Sequence, residues 1–433
     1  MITQLTTSLY NQLVMAAPDC LQPGQEPKTF TDIRSQSFRK FKQLGFPTMK
    51  LEDWKYINLQ GLVNQSYSLE DSLPGRPVAH ERAHIPGLAS YHLVMVNGAF
   101  RPDLSDSIED SGITVMPMAE ALDELLFAKH FAAYADKTDN PFVALNTALF
   151  QNGLFISFDK GSVAAKAIHI IHVVAGSESL FSQTRNLIVM GPNSSADIVE
   201  TFITEQGAGK SLNNLVSEVV LEESARMQHY ILQTASSQSS YLTHTEIHQS
   251  KYSLYNNYNC TFPGASFVRN NINVRLAEAD VEGHLYGITL TADDQLVDNH
   301  TIVDHLKPHC ESYEWYKNIV QDASTAVFNG KIFVREDAQK TNAFQQNNNM
   351  LIGDKSTVYS KPQLEIFADD VKCSHGCTIG QFNEQSLFYL RARGIGEEQA
   401  RILLVHAFAF DVTSRFSNEA VKNYVERLVE EGL

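Results

Sequence analysis

Hydrophobic and polar positions change rhythm twice along the chain. In the first third, apolar residues fall at helical spacing. Leu5, Leu9, Leu13 and Val14 share one face. A second helix is predicted over 33–44, closed by Leu44, Gly45, Phe46 and Pro47, the order of a glycine C-terminal cap, an apolar contact and a helix-stopping proline. The segment LEDWKYINL and a loop follow. YHLVMVNGAF predicts a strand, and PMAEALDELLFAKHFAAY, residues 117–134, predicts an amphipathic helix opened by proline.

From about Gly153 the texture becomes short apolar runs, often alternating and broken by Gly, Asn, Asp and Ser: LFISF, AIHIIHVV, LIVM, ADIVETFI and a further series ending in STVYSKPQLEIF. No long helical pattern lies between them, which argues against βαβ units and leaves a sandwich, a barrel or a β-solenoid. A small residue or serine precedes several alternations, as in Ser195-Ala-Asp-Ile, Ser224-Ala-Arg-Met, Ala279-Asp-Val and Ser324-Thr-Ala-Val. That tilts the reading toward a solenoid. After Gly380 the helical rhythm returns. Asn383 can cap a helix reaching Arg393, with Gly394 at its end. A second helix over 397–413 is apolar nearly all round and needs burial on several sides or a partner. The last helix places Val421, Tyr424, Val425, Leu428 and Val429 on one stripe.

Composition narrows the setting. The 433 residues are 43% hydrophobic and 19% charged, enough for a large core, and carry a formal net charge of -16. Such an acidic chain is a poor binder of nucleic acid or anionic membrane, because phosphates would be repelled. No apolar run approaches the roughly 20 residues that span a bilayer, and the first residues lack the basic start of a signal peptide and the Arg-rich face of a transit peptide. The cysteines, Cys20, Cys260, Cys310, Cys373 and Cys377, are odd in number and irregularly spaced. That suits a reducing cytoplasm rather than a disulfide framework.

Several stretches offer chemistry. Gly207-Ala-Gly-Lys-Ser211 looks like the tail of a phosphate loop, but Thr204 stands where the pattern needs glycine and a strand-like run follows where a helix is needed. It reads as a turn. Residues 299–311 collect His300, Asp304, His305, His309, Cys310 and Glu311. On a strand, His300, Ile302 and Asp304 share one face and His305 the other, so these donors do not converge. His244 and His248 lie in a strand-like region and read as strand positions. The stretch DDVKCSHGCTIG differs: on a strand, Val371, Cys373, His375, Cys377 and Ile379 project from one face. Three soft or borderline donors would then stand within reach of one metal or cluster. Three donors do not close a tetrahedral zinc site, and a buried thiol also serves as a small hydrophobe. Site and packing readings both stay open on the residues alone.

The run from Lys361-Pro-Gln-Leu-Glu-Ile-Phe through Lys372-Cys-Ser-His-Gly376, followed by Leu387-Phe-Tyr-Leu-Arg-Ala-Arg-Gly-Ile395, closely resembles the SufB/SufD family of iron–sulfur cluster assembly proteins. Val303-Asp-His305, Val327-Phe-Asn-Gly-Lys331 and Gln339-Lys-Thr341 fit the same pattern. Lys-Cys-Ser-His-Gly and the Glu52-Asp-Trp-Lys-Tyr56 segment resemble the SufD branch. The resemblance implies a mainly β fold, a right-handed parallel β-helix core flanked by N- and C-terminal helical regions, which divides the chain at 1–155, 156–380 and 381–433. It implies a non-catalytic subunit of a SufBCD scaffold complex, paired with a SufB-like subunit and docking a SufC-like ATPase that carries the ATPase activity.

In that scheme His375 is the expected ligand at the SufB interface, with Cys373 beside it, and Cys377 stands where many SufD chains have alanine. The C-terminal helical region, with Phe388, Tyr389, Leu390 and Arg391, would dock the ATPase. A permanently held cluster usually takes four thiolates, so a transient iron–sulfur cluster or iron would be shared with SufB and none would stay on the isolated chain. The alternative is a purely structural or iron-recruiting subunit with all cluster chemistry on SufB. In isolation the chain could form a homodimer, because an unpaired β-helix end invites strand pairing.

Overall fold

The computed structural model describes residues 7–20, 27–69 and 75–433. Leu5 and the Cys20 side chain lie outside them. From Leu154 on, the short runs form strands that pass alternately to two sheets, one of ten strands and one of nine. Within each sheet the neighbours along this stretch are parallel and in continuous register. The chain therefore winds as a β-solenoid of about eight turns. Its interior is a continuous apolar core that includes Ile198, Val219, Met227, Ile247, Val274 and Phe328.

Strands covered on both faces need apolar or hydrogen-bonded residues at every position. Ser211–Leu221 is buried throughout. The corners carry the repeat that the sequence only hints at. Asn193, Ser224, Tyr252, Asp280, His309 and Lys340, one per turn, have positive φ. They stack by backbone bonds, Ser224 N–H to Lys251 O, Tyr252 N–H to Asp280 O and His309 N–H to Gln339 O. Many residue types occupy this corner, so no fixed letter marks it.

The N-terminal region covers the outer face of the nine-stranded sheet. Helices Ser8–Cys20 and Lys28–Leu44 bring Leu9, Leu13, Phe38 and Phe41 against Phe142 and Leu145, and these pack on Phe181, Leu212 and Leu242 of the sheet. Lys28–Leu44 starts one turn earlier than the periodicity predicts and ends at Gly45, φ 64°. Pro141–Leu149, capped by Asn140, is a helix buried at all nine positions. It has no polar face for a periodicity to reveal.

Residues 117–134 do not form the single helix expected. Ile113–Pro117 is a strand, Met118–Glu120 a 3-10 turn and Leu125–His130 a short helix. At its start the segment is claimed by strand pairing, Pro117 lying beside Leu154 and Met118 N–H bonding Gly153 O; at its end the cause lies in the sheet beneath. The buried carboxylate of Glu218 accepts the backbone N–H groups of Ala132, Tyr134 and Ala135 at 2.8–3.0 Å. A continuing helix would commit those same donors to its own carbonyls.

The C-terminal helices lie along the outer face of the ten-stranded sheet. They run Glu384–Ala392, Glu397–Thr413 and Glu419–Glu431. Val405, Ala409, Val421, Val425 and Val429 pack there, and Phe416 closes over the stacked rings of Tyr230 and Tyr258. Lys317, reaching from the sheet, pairs with Asp411 and donates to Phe408 O.

Gly287 shows how tightly the interior is filled: a β-carbon there would lie 2.2 Å from the Tyr316 ring. Gly287→Ala is expected to destabilise the chain by about 1–3 kcal/mol, the usual cost of overpacking. A urea midpoint unchanged from wild type would show that the ring has room to move.

Candidate functional site

Among the described residues, no further strand follows the last turn of the solenoid at its C-terminal side. Among the described residues, Thr357–Ile366, the last strand of the nine-stranded sheet, pairs only with Thr325–Val334, and Lys372–Gln381, the last of the ten-stranded sheet, pairs only with Asn342–Ile352. Each therefore presents one edge of backbone donors and acceptors with no strand beside it among the described residues. Burial falls accordingly: most of Lys372–Gln381 is exposed. Tyr359, Ile366, Phe367 and Ile379 are each at least 40% exposed around this end. Such an apolar, edge-bearing surface is suited to association.

The register fixes which side chains look inward. Cys373, His375 and Cys377 stand beside Ala343, Gln345 and Asn347, all buried in the preceding turn. Cys373 packs with Val371 against the interior core, and burial pushes its thiol pKa up. Cys377 Sγ donates to Ser360 Oγ at 3.1 Å, and Ser360 donates to Asn347 Oδ1 at 2.7 Å, which links the two sheets at the mouth. His375, between them, is exposed.

Same-face residues on a strand are about 6.6 Å apart, so the three donors stand in a row rather than around one point. Among the described residues, no group of three or more His, Cys, Asp or Glu is placed to hold a metal ion. Ser360 is a neighbour that sequence reasoning misses, because it reaches this row from the other sheet.

The helix Glu384–Ala392 follows this strand directly, capped by Asn383 accepting from Ser386 N–H. Leu387 is buried and Leu390 packs inward, whereas Phe388 and Tyr389 are 74% and 57% exposed. Arg391 pairs with Glu397 at 3.0 Å. The four residues Phe388, Tyr389, Leu390 and Arg391 thus divide between two faces.

The other donor-rich stretches resolve into structure. His300 Nε2 lies 2.9 Å from Asp298 Oδ1 on the outer face. His305 points inward to Ser312 Oγ at 2.9 Å, and burial pushes its pKa down to about 3. Asp304 holds Arg335 by two bonds, and His309 is a corner residue. Burial raises the Cys310 thiol to about 11. His244 bonds Glu246, and His248 stacks on Tyr134. Gln206 and Gly207 make a turn closed by Ala208 N–H to Glu205 O, and Gly209 and Lys210 lead into the strand Ser211–Leu221.

These features define a class: a two-sheet parallel β-solenoid, sheathed by helices on both outer faces and left open at a turn that carries cysteines and a histidine. Comparison with known proteins makes the assignment particular. Residues 172–408 match the SufBD core domain of the SUF system for FeS cluster assembly, and residues 6–170 match the SufBD protein N-terminal region. The chain belongs to the SufB/SufD family and lies near SufD within it. It is 30% identical over 396 residues, 90% of each chain, to the iron–sulfur cluster assembly protein SufD of Escherichia coli. It is 28% identical over 435 residues, 98% of this chain and 95% of the relative, to an iron–sulfur cluster assembly SufBD family protein of Synechocystis. A chloroplastic protein of Arabidopsis thaliana, ABCI7, is 34% identical over 58% of this chain and 52% of its own. The role of the chain is in iron–sulfur cluster assembly. No helix among the described residues is long and apolar enough to cross a membrane.

Proposed function

We propose that the chain is the SufD-type subunit of a SufBCD scaffold complex. A SufB-like subunit pairs with its open terminal turn, and the two together form a site where an iron–sulfur cluster is built and released. The cluster, or the iron entering it, is cargo. The observation that supports this reading is His375: an exposed imidazole on a strand with no further strand beside its outer edge among the described residues. A second chain adding strands there would bring its own donors to the row and complete a ligand set that a single strand cannot close. A second copy of this chain could take the same edge when SufB is absent.

His375 ranks first as the iron ligand. Cys373 ranks second: its thiol is raised by burial, and only the thiolate binds metal, so it needs a rearranged or metal-loaded mouth to take part. Cys377 is hydrogen-bonded to Ser360 and ranks third. The exposed Phe388 and Tyr389 are the part of the C-terminal helical region best suited to docking a SufC-like ATPase, with Leu390 and Arg391 supporting that helix. ATP hydrolysis would then act on the interface through a helix that begins three residues beyond the site strand.

The raised Cys373 thiol also favours a second reading, in which this subunit shapes the complex and recruits iron while the chemistry resides on SufB. One experiment separates the two. In His375→Ala, assembly in the reconstituted complex is expected to fall at least tenfold, the lower range for a lost metal-site contact, while the complex still elutes intact. Undiminished assembly in an intact complex would remove His375 from the ligand set and leave the structural reading.

A further inference from the structure

One row of interior side chains leads straight to His375. Glu314, Gln345 and His375 lie on three successive strands of the ten-stranded sheet and are paired in register, Glu314 with Gln345 and Gln345 with His375. Adjacent strands are about 4.8 Å apart. Glu314 and Gln345 are 1% and 2% exposed. Gln345 Nε2 donates to Glu314 Oε2 at 2.6 Å, back toward the preceding turn. Room for this amide comes from the facing sheet, where a β-carbon on Gly330 would lie 2.3 Å from Nε2.

With its nitrogen committed to Glu314, the amide keeps a buried carbonyl, Oε1, that accepts no bond. An unsatisfied buried acceptor is costly, and the next side chain in the row is the His375 ring. A histidine that binds metal through one nitrogen commonly donates its other N–H to a carbonyl or carboxylate, which fixes tautomer and orientation. The register places His375 beside Gln345, whose Oε1 lacks a partner; of the two ring nitrogens, Nδ1 is the one nearer the backbone.

We infer that Gln345 is a positioning residue for His375: when the exposed imidazole turns toward the interior, Oε1 accepts its Nδ1–H and leaves Nε2 bare at the open mouth, with Oε1 aimed by the bond from its own amide to Glu314. The use made of the bare nitrogen rests on the reading of His375 as a ligand. The orientation itself does not.

The test reads the His375 tautomer by nitrogen NMR in the full chain with isotope-labelled histidine, at alkaline pH. The signal is assigned by its loss in His375→Ala. Wild type is expected to hold Nδ1–H as the main form. Gln345→Leu should change the tautomer ratio about fivefold, the worth of one neutral hydrogen bond. Glu314→Leu should do likewise, whereas Glu314→Gln, which keeps an acceptor for the amide, should restore the wild-type ratio. A wild-type ring protonated mainly at Nε2, or a ratio unmoved by Gln345→Leu, overturns the inference. Should Gln345→Leu fail to fold, Gln345→Asn withdraws the carbonyl by one methylene and answers to the same criterion. Because no metal or partner enters the measurement, its failure leaves the ligand reading standing, and undiminished assembly in His375→Ala leaves this one standing.

Discussion

Glu218→Ala is expected to cost about 3–5 kcal/mol of stability, the range for breaking a buried ion pair by removing one partner. Glu218 and Arg185 are both fully buried on the outer face of the nine-stranded sheet and meet at 2.7 Å. Arg185 also bonds Thr147 Oγ1 at 2.8 Å and lies 5.1 Å from the centre of the Phe131 ring. Removing the carboxylate leaves the guanidinium only the more distant Asp136, at 3.8 Å, as a counter-charge and frees the three N–H groups that hold the segment from Ala132 to Ala135. The loss should appear as a lowered urea midpoint, together with faster proteolysis around residues 131–137, where the segment detaches. Arg185→Met combined with Glu218→Gln should recover part of the loss, since the fully buried charge pair is then gone, Asp136 keeps its bonds to Ser37 and Thr147, and the introduced amide oxygen can still accept from the segment. A cost under about 1 kcal/mol for Glu218→Ala would mean that water reaches Arg185, contrary to the packing described.

Glu314→Gln is expected to stabilise the chain above pH 7 and to leave it nearly unchanged at acid pH. Burial pushes the Glu314 carboxyl up to about 7 from 4.5, against the opposing pull of Thr301 and Gln345. The sign follows from the unfolded state, which ionises at its ordinary value. The advantage of the neutral acid is fully present below pH 4.5 and is lost as the pH rises through about 7. The gap between those values corresponds to about 3 kcal/mol. Glutamine keeps an acceptor for Gln345 without the charge, so the gain should approach that size in alkaline buffer. Melting curves of both proteins across the pH range read it directly; parallel curves at every pH would place solvent beside Glu314.

Much of the architecture is legible because short-range physics sets it. Asn383 and Gly394 bound a helix by capping chemistry that needs no tertiary context, and the stripe of Val421, Val425 and Val429 faces the core as its spacing requires. Alternation places Cys373, His375 and Cys377 on one side of a strand, because parity is a property of the strand itself. The same rule separates His300 from His305. Residues 117–134 mislead because their helical spacing is real while partners far away in sequence claim their ends, Gly153 and Leu154 at the start and Glu218 at the finish. Pro141–Leu149 stays hidden because a helix buried all round carries no amphipathic signal.

The amino-acid sequence by itself determined the parts: which runs extend, which coil into helices, where caps stop them and which side of the last strand bears the donors. The family pattern was written in residues 361–395 as well. Tertiary structure alone decided how the parts meet. The turns vary in length and in corner residue, so Glu314, Gln345 and His375, or Cys377 and Ser360, are neighbours only once the winding sets their register. It also decided that the donor row lies at an open end. Exposure depends on whether another turn is stacked beyond, and no local sequence preference encodes that.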